Sequence, residues 1–410
     1  MRQRRPANIW SLCSARNRAP DAHTGGPIHI HYIHDGPIPS LAANAVQVTK
    51  MCAAFQANGA SVTLTVPAGR VATNDEVKAE YQLSSDLVVR RLRNIPMPGS
   101  KLIFGGMAVV GRWSSDAIVF TRSVSVSRMS TLFGMPTVLE LHGPISMLRD
   151  NMPARLRRVA SRPSFRLVVV ISERLKQDYE ATFPEFRNRI LVAPDGADPV
   201  NGHPVDAVPL TGSFRVGYLG HLYPGKGMEL IERLAPLRPQ MTFHIVGGRP
   251  TDLSRWRERT IAIPNIIYHG HVPHAETRRY LASMDVVLAP YQRVVLGSGG
   301  GGGAANLADW MSPLKIFEYM AEGKAILSSD LPVLREVLVD RGNALLRGPE
   351  DIAGWADGLS TLETDARLRA RIGAQGKRDL LERYTWNQRA RAIMDAVTGK
   401  TSQAGLRRCS

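Results

Sequence analysis

Cysteine is scarce in this chain, and long apolar runs are absent. The 410 residues include three cysteines, Cys13, Cys52 and Cys409, whose spacing fits no metal site. This scarcity excludes a disulfide-stabilised scaffold and a structural zinc module, and it predicts a reducing, cytoplasmic location. No run of about 18 apolar residues occurs, so we expect no membrane-spanning helix.

The first 27 residues lack the apolar core that a secretory signal needs. They carry five arginines against one aspartate, which predicts a disordered basic arm or residues upstream of the true start. The whole chain has a formal net charge of +16, which indicates an anionic partner such as nucleic acid, membrane lipid or a phosphorylated substrate. Because neither a zinc finger nor an aromatic RNA-binding motif occurs, we expect no nucleic-acid partner.

A repeated alternation of apolar strands and helical patterns is what the sequence does contain. Runs such as "SVTLTV", "DAIVFTR", "TVLELHG" and "RLVVVIS" alternate with helices, which predicts βαβ units on a parallel sheet. The pattern breaks at "LVAPDGADPVNGHPVDAVPLTG" and then restarts. We therefore predict an α/β protein with two doubly wound domains, residues 28–200 and 201–384, and a C-terminal crossover helix and tail, 385–410. Ligands are expected in the cleft between the domains, where the strands end.

A well-bounded helix is predicted for residues 313–322. Ser312 is a good N-cap, Pro313 suits the first helical position, and Gly323 suits the left-handed stop. The backbone N–H groups at the start of this helix, those of Leu314 and Lys315, form a potential anion site.

Five consecutive glycines, residues 299–303, precede that helix. They have neither the lysine that ends a Walker loop nor a GxGxxG spacing, so they favour a flexible surface insertion over a phosphate loop. The loop from 292 to 311 is long enough to form a rim of the cleft.

Several segments together resemble the retaining glycosyltransferases of family GT4. These segments are "MSPLKIFEYMAEGKAILSSDLPVLREVL", "VGYLGHLYPGKGMELI", "VVVISERLKQDY", "ILVAPDGAD" and "PSLAANAVQVTKMCAAFQANGASVTL". The resemblance covers about residues 28–395 and implies the GT-B fold, in which two Rossmann-like domains face a central cleft. It also implies transfer of a hexosyl unit from a nucleoside-diphosphate sugar, with retention of configuration.

The resemblance places the diphosphate of the donor beside "GHLYPGKG". Lys226 matches the family's lysine, and His221, next to Gly220, stands where the family commonly has arginine. A neutral imidazole lacks the permanent charge and the fork of a guanidinium, so either phosphate is held less strongly or another cation substitutes. The alternative for Lys226 is a solvated lysine at a helix start.

Glu318 matches the family's second glutamate, which binds the ribose of the donor. The first glutamate would stand at position 310, where this chain has Trp310 with Asp309 beside it. An exposed carboxylate that pairs with Lys315 is the alternative for Glu318.

In the N-terminal domain the resemblance points to His142, which would lie near the transferred sugar and donate to a hydroxyl or orient the acceptor. Glu140 alternates with His142 along one strand, and Arg122 ends the neighbouring strand at the cleft. Arg122 could meet an anionic acceptor or a phosphate, and Gly36 would allow close backbone approach to the donor phosphates. Packing or ion-pair roles remain open for His142 and Arg122.

The implied chemistry needs no protein nucleophile. Lys226, His221 and the helix start at 313–315 would stabilise the negative charge of the leaving nucleoside diphosphate. No carboxylate pair suggests the double displacement of retaining glycosidases, and no DxD-type motif occurs. We therefore expect catalysis without a metal ion or another cofactor.

The segment Met147–Arg166 has apolar residues at helical spacing with six arginines and one aspartate. It could lie on an anionic membrane at the inner face, where lipid-linked acceptors reside, or form a solvated arginine-rich helix. Saccharide and small-molecule acceptors remain open too.

Two other functions remain open. A sugar-nucleotide epimerase of similar fold would need carboxylates in the cleft. A catalytically silent GT-B module that binds an anionic partner would explain Trp310 and His221.

Overall fold

The computed structural model describes residues 28–40, 43–69, 72–93, 99–110, 117–148, 151–200, 205–296 and 306–399. The predicted basic arm, the glycine run 299–303 and the tail beyond residue 399 lie outside these ranges. Among the described residues, no helix is long and apolar enough to cross a bilayer.

The first domain is a parallel sheet between two layers of helices. The described strands of its sheet run in the order β3-β2-β1-β4-β5-β6-β7. These strands are β1 (His29–Ile33), β2 (Ser61–Pro67), β3 (Val88–Leu92), β4 (Ile118–Thr121), β5 (Thr137–Leu141), β6 (Phe165–Val170) and β7 (Ile190–Val192). The helices are α1 (Ala43–Ala57), α2 (Asn74–Glu80), α3 (Ser100–Val109), α4 (Val124–Leu132), α5 (Met152–Ala160) and α6 (Glu173–Thr182).

The second domain repeats this architecture with strand order β10-β9-β8-β11-β12-β13. These strands are β8 (Arg215–Leu219), β9 (Thr242–Val246), β10 (Ile266–Gly270), β11 (Val286–Ala289), β12 (Ala325–Ser329) and β13 (Leu345–Arg347). The helices are α7 (Met228–Leu234), α8 (Pro250–Arg259), α9 (Thr277–Ala282), α10 (Leu314–Ala321), α11 (Ile352–Thr364) and α12 (Ala366–Arg383). The strand order reverses beside β1 and beside β8, and such reversals are where doubly wound sheets bind ligands.

The last helix, α13 (Trp386–Thr398), returns to the first domain. Trp386, Ala390 and Ile393 are buried in the same apolar cluster as residues of α1 and the first sheet. The side chains recur at i, i+4 and i+7, so they form one stripe along the helix. The core of the first domain is therefore completed by the far end of the chain.

Three strands are not predicted by the sequence pattern, and all three lie at sheet edges. These are β3 and β7 in the first sheet and β13 in the second. Every residue of β7 is half-buried, and β3 contains Arg90 and Arg91. β7 and β13 have only three residues each, and β3 is interrupted by two arginines, so none of the three forms a long apolar run.

The membrane interpretation of Met147–Arg166 is wrong about its apolar face. The helix there is limited to α5, and its residues Leu156, Val159 and Ala160 are buried in the core of the first domain. Arg155, Arg157 and Arg158 remain exposed. Over its described residues, the segment thus offers a basic surface, and the apolar stripe of α5 packs into the core of the first domain.

Candidate active site between the two domains

The donor side of the cleft begins with a tight turn at the end of β8. Gly220 has a φ of 138°, and a Cβ there would lie 3.0 Å from the Nζ of Lys315. Gly247 approaches the same turn so closely that a Cβ on it would lie 2.3 Å from the carbonyl oxygen of Gly220. Glycine is therefore required at both positions, by backbone conformation and by space.

Two lysines meet at this turn without a carboxylate between them. The Nζ of Lys315 lies 3.7 Å from the centroid of the Tyr218 ring, and those of Lys226 and Lys315 each lie 5.3 Å from that of Tyr291. The Nζ of Lys315 is buried and has no hydrogen-bond partner. Neither lysine forms an ion pair with any residue in the described ranges. Two cations thus share one pocket against the faces of two tyrosine rings, and the more distant charge of Glu318 offsets the lowered pKa of Lys315 only in part.

Burial weakens the hold of both lysines on their protons. It lowers the pKa of Lys226 to about 8. It also lowers the pKa of Lys315 well below its usual value, and the nearby charge of Lys226 adds to this shift. An anion in the pocket would reverse both shifts, so the pocket is electrostatically incomplete without one.

His221 is neutral at physiological pH. Burial, together with Lys226, Lys315 and Arg249, lowers its pKa to about 4. Its ring stacks on Tyr223 at 4.8 Å between centroids, and the Arg249 guanidinium lies 5.0 Å from the centroid of the same tyrosine. Arg249 is a third cation beside this pocket that the sequence reading did not single out.

Helix α10 begins one residue later than predicted, and Ser312 is not its N-cap. Pro313 is the N-cap, and no side chain bonds the first turn. The Ser312 hydroxyl instead accepts a hydrogen bond from the backbone N–H of Asp195 at 2.9 Å. The Ser312 side chain does not cap α10, because its hydroxyl is bonded to the domain junction. The N–H groups of Leu314 and Lys315 keep no side-chain acceptor.

Glu318 faces an interdomain cavity that is also lined by Lys50, Asp198 and His274. Its side chain is 25% exposed, and a carboxylate oxygen lies 3.8 Å from Nδ1 of His274. Lys315, three residues earlier, turns away towards Gly220, so the two do not form the ion pair that the sequence left open.

Trp310 packs across the cleft against the first domain. It contacts the apolar cluster that contains β5 and β6, and the Arg174 guanidinium lies 5.5 Å from its ring centroid. Nearby, the Glu336 carboxylate accepts the backbone N–H groups of Glu173 and Arg174 at 2.8 and 3.2 Å. Glu336 thereby caps α6 from the opposite domain, and position 310 serves interdomain packing.

On the acceptor side, Glu140 is enclosed by donors. Its Oε1 accepts from Arg389 Nη2 at 2.6 Å and from Gln47 Nε2 at 2.8 Å, and it lies 2.7 Å from His142 Nε2. Burial opposes its ionisation, but Arg389 and His142 outweigh burial and hold its pKa well below the usual value. The prediction that Glu140 contacts substrate is wrong, because its side chain has no exposed surface. Glu140 instead orients the side chains around it.

Arg122 and Asp195 complete this cluster. Arg122 is half-buried and donates Nη1 to the Gln47 Oε1 at 3.2 Å. Asp195 is buried, one of its carboxylate oxygens has no partner, and burial raises its pKa. Burial and Arg122 together lower the pKa of His142. Of the group, His142 keeps some exposure, 18% of its side chain.

Gly36 makes room for a histidine. A Cβ at Gly36 would lie 2.7 Å from Nε2 of His34, whose ring is buried beneath the loop. A side chain at position 36 would therefore displace the His34 ring, which is one reason for glycine there whether or not a ligand phosphate approaches the loop.

Three potential metal ligands, on Glu140, His142 and Asp195, lie within 4.8 Å of one another. The Arg389 guanidinium already supplies a permanent positive charge to one oxygen of Glu140, whereas the other oxygen of Glu140 and one oxygen of Asp195 have no hydrogen-bond partner.

Comparison with known proteins agrees with this architecture. HepE from Anabaena, solved in complex with UDP, superposes with a TM-score of 0.64 at 15% identity, covering 91% of this chain and 100% of that one. The chain has the GT-B fold. Within it, residues 228–395 match the family described as Glycosyl transferase-like.

Two curated relatives match parts of this GT-B chain. The phosphatidyl-myo-inositol mannosyltransferase of Mycolicibacterium smegmatis is 29% identical over 188 residues, which cover 45% of this chain and 44% of that protein. The D-inositol 3-phosphate glycosyltransferase of Xylanimonas cellulosilytica is 26% identical over 213 residues, 50% and 46% of the two chains. The chain spans less than half the length of the curated relatives it matches.

Proposed function

We propose that this protein is a glycosyltransferase that moves a hexosyl unit from a nucleoside-diphosphate sugar to a hydroxyl-bearing acceptor. The observation that carries the proposal is the buried, unpartnered Nζ of Lys315 beside Lys226 at the end of β8. A buried ammonium without a counter-charge is costly, and a second one beside it adds repulsion. A diphosphate supplies two or more negative charges at the place where both lysines converge.

The chemistry follows from that placement. As the anomeric C–O bond breaks, negative charge grows on the leaving diphosphate, and Lys226, Lys315 and the N–H groups at the start of α10 stabilise it. Glu318 would hold the ribose from the next turn of the helix. We propose retention of configuration without a metal ion: the acceptor hydroxyl bonds to the anomeric carbon on the face that the diphosphate leaves and passes its proton to the departing phosphate oxygen.

The acceptor side supports a hydroxyl acceptor near His142. The names of two relatives include inositol phosphates or their lipids, which favours an acceptor that itself carries phosphate, free or lipid-linked. Arg122 is the cation of this cluster that could meet such a group. We further propose that the protein works in the cytoplasm and that Arg155, Arg157 and Arg158 attract it to anionic lipid by charge alone. Co-sedimentation with phosphatidylglycerol vesicles, compared with phosphatidylcholine vesicles, tests this attraction.

A thermal-shift panel of UDP, GDP, ADP and their sugars tests the donor site. Ligand at a hundred times its dissociation constant should stabilise the protein by roughly 2.7 kcal/mol. Lys226→Ala and Lys315→Met should each remove the shift, whereas Lys78→Ala, at a lysine on α2 that pairs with Asp86, should keep it. A full shift in both pocket variants would refute the assignment.

A second candidate is a GT-B module that binds the nucleotide without transferring sugar. The position of Trp310 favours it, because the family's first glutamate is replaced there by a ring packed on the opposite domain. Binding of a nucleotide without turnover of any nucleotide sugar would select this candidate.

A further inference from the structure

The buried cluster beneath His142 joins two distant parts of the chain. Glu140 lies on β5, and Arg389 reaches it from α13, 249 positions further along the sequence. Both side chains are almost wholly buried: that of Arg389 is 3% exposed and that of Glu140 is 0% exposed. Arg389 also donates Nε to the carbonyl oxygens of Ala193 and Pro194, which fixes the guanidinium in place.

The contact between His142 and the ionised Glu140 carboxylate indicates where the proton of His142 resides. An ionised carboxylate can only accept hydrogen bonds. The 2.7 Å contact between Glu140 Oε1 and His142 Nε2 therefore requires the hydrogen to be on Nε2. A neutral ring protonated there keeps a lone pair on Nδ1, and Nδ1 has no hydrogen-bond partner among the described residues.

Burial and the charge of Arg122 lower the pKa of the His142 ring and keep it neutral, whereas Glu140 and Asp195 act in the opposite direction. Glu140 faces it from β5, Arg122 from the end of β4, and Asp195 from the segment after β7. Arg389, on α13, neutralises Glu140 from the other side. Without Arg389 the buried carboxylates would outnumber the cations, and the imidazole would take up a second proton to restore the balance.

We propose that Arg389 is a positioning residue that, through Glu140, holds the proton of His142 on Nε2, so that Nδ1 faces the cleft as a hydrogen-bond acceptor for a ligand hydroxyl. The role of His142 is thus the reverse of the donor role that the sequence suggests. The inference rests on the proposed function in one respect: the hydroxyl would belong either to the donor sugar or to the acceptor. The state of the ring itself can be measured on the free protein.

The test is a long-range ¹H–¹⁵N correlation spectrum of the full chain labelled with ¹⁵N-histidine, with the His142 signals assigned from their loss in His142→Gln. In the wild type we expect a protonated Nε2 and an unprotonated Nδ1 from pH 6.5 to 8. In Arg389→Gln the titration midpoint of His142 should rise by at least about one pH unit, a tenfold gain in proton affinity. Arg389→Lys should restore the wild-type pattern in part.

Arg391→Gln is the matched control, because Arg391 lies on the same helix at an exposed position and should leave His142 unchanged. Should Arg389→Gln fail to fold, the double variant Glu140→Gln with Arg389→Gln removes both buried charges, and it should show a mixture of the two neutral tautomers.

A wild-type proton on Nδ1 would overturn the proposal. So would an unchanged His142 titration in Arg389→Gln, or a single Nε2–H tautomer in the double variant. These outcomes are independent of whether any nucleotide sugar is turned over, so they are distinguishable from failure of the proposed function.

Discussion

The affinity for a nucleoside diphosphate should fall as pH rises from 7 to 9, and Lys226 should be one cause. Burial lowers the pKa of Lys226 to about 8 in the free protein. The cationic form binds the diphosphate, so the bound lysine keeps its proton to higher pH than the free one. Affinity is therefore highest well below pH 8 and falls as the free lysine deprotonates through its pKa of about 8.

The size of the effect follows from the fraction of Lys226 that is charged. With a pKa of about 8, that fraction is about 90% at pH 7 and about 10% at pH 9. The dissociation constant should therefore rise about tenfold, or about 1.4 kcal/mol, from this lysine alone. Lys315 has its pKa shifted in the same direction, so the total loss is at least as large.

Isothermal titration calorimetry with UDP, in the wild type and in Lys226→Arg, measures this contribution. A guanidinium stays charged at pH 9, so the variant should lose about tenfold less affinity than the wild type over the same range. Titration of UDP itself affects both proteins equally and cancels in the ratio. Parallel decline of the two proteins would refute the role given to Lys226.

Three further perturbations have defined outcomes. Lys315→Met removes a buried charge without a partner, so thermal unfolding should show the free protein stabilised by about 1 kcal/mol or more, with UDP binding at least tenfold weaker. Gly220→Ala adds a Cβ 3.0 Å from the Lys315 Nζ at a φ of 138°, and urea unfolding should show a loss of about 1–3 kcal/mol. Gly59→Ala, also at positive φ but with no neighbour within 4 Å, should cost less. Glu336→Ala removes two hydrogen bonds to the first turn of α6, which keeps its Ser172 N-cap, and should cost about 1 kcal/mol in the same assay, whereas Glu350→Ala, at an exposed position, should be neutral.

The fold was predictable from sequence because both sheets are parallel and their inner strands are buried on two faces. Such strands appear as apolar runs, as "RLVVVIS" does for β6, and the helices between them keep their own period. The GT-B prediction from the family resemblance is confirmed. The missed edge strands carry no comparable signal, because β7 and β13 have only three residues each and β3 is interrupted by two arginines.

The candidate site was predictable where chemistry follows a local motif and not where it depends on distant chain segments. Gly220, His221, Lys226 and Lys315 do meet, as neighbours of strand ends in a parallel sheet must. Ser312 was misjudged because its partner, the N–H of Asp195, belongs to a segment 117 positions away. One feature of the sequence could have identified Arg389: it is a charged residue on the apolar stripe of a helix, where a charge needs a buried partner.

The return of α13 to the first domain determines which segments must stay together when domains are exchanged between related proteins. An exchange of domains with a related GT-B chain at the junction near residue 200 would separate α1 and the first sheet from Trp386, Ala390 and Ile393, which complete their core. It would also pair Glu140 with whatever residue the foreign helix carries at the position of Arg389. The acceptor-side domain is therefore discontinuous in sequence. A functional hybrid must take residues 28–200 and 386–398 from the same parent.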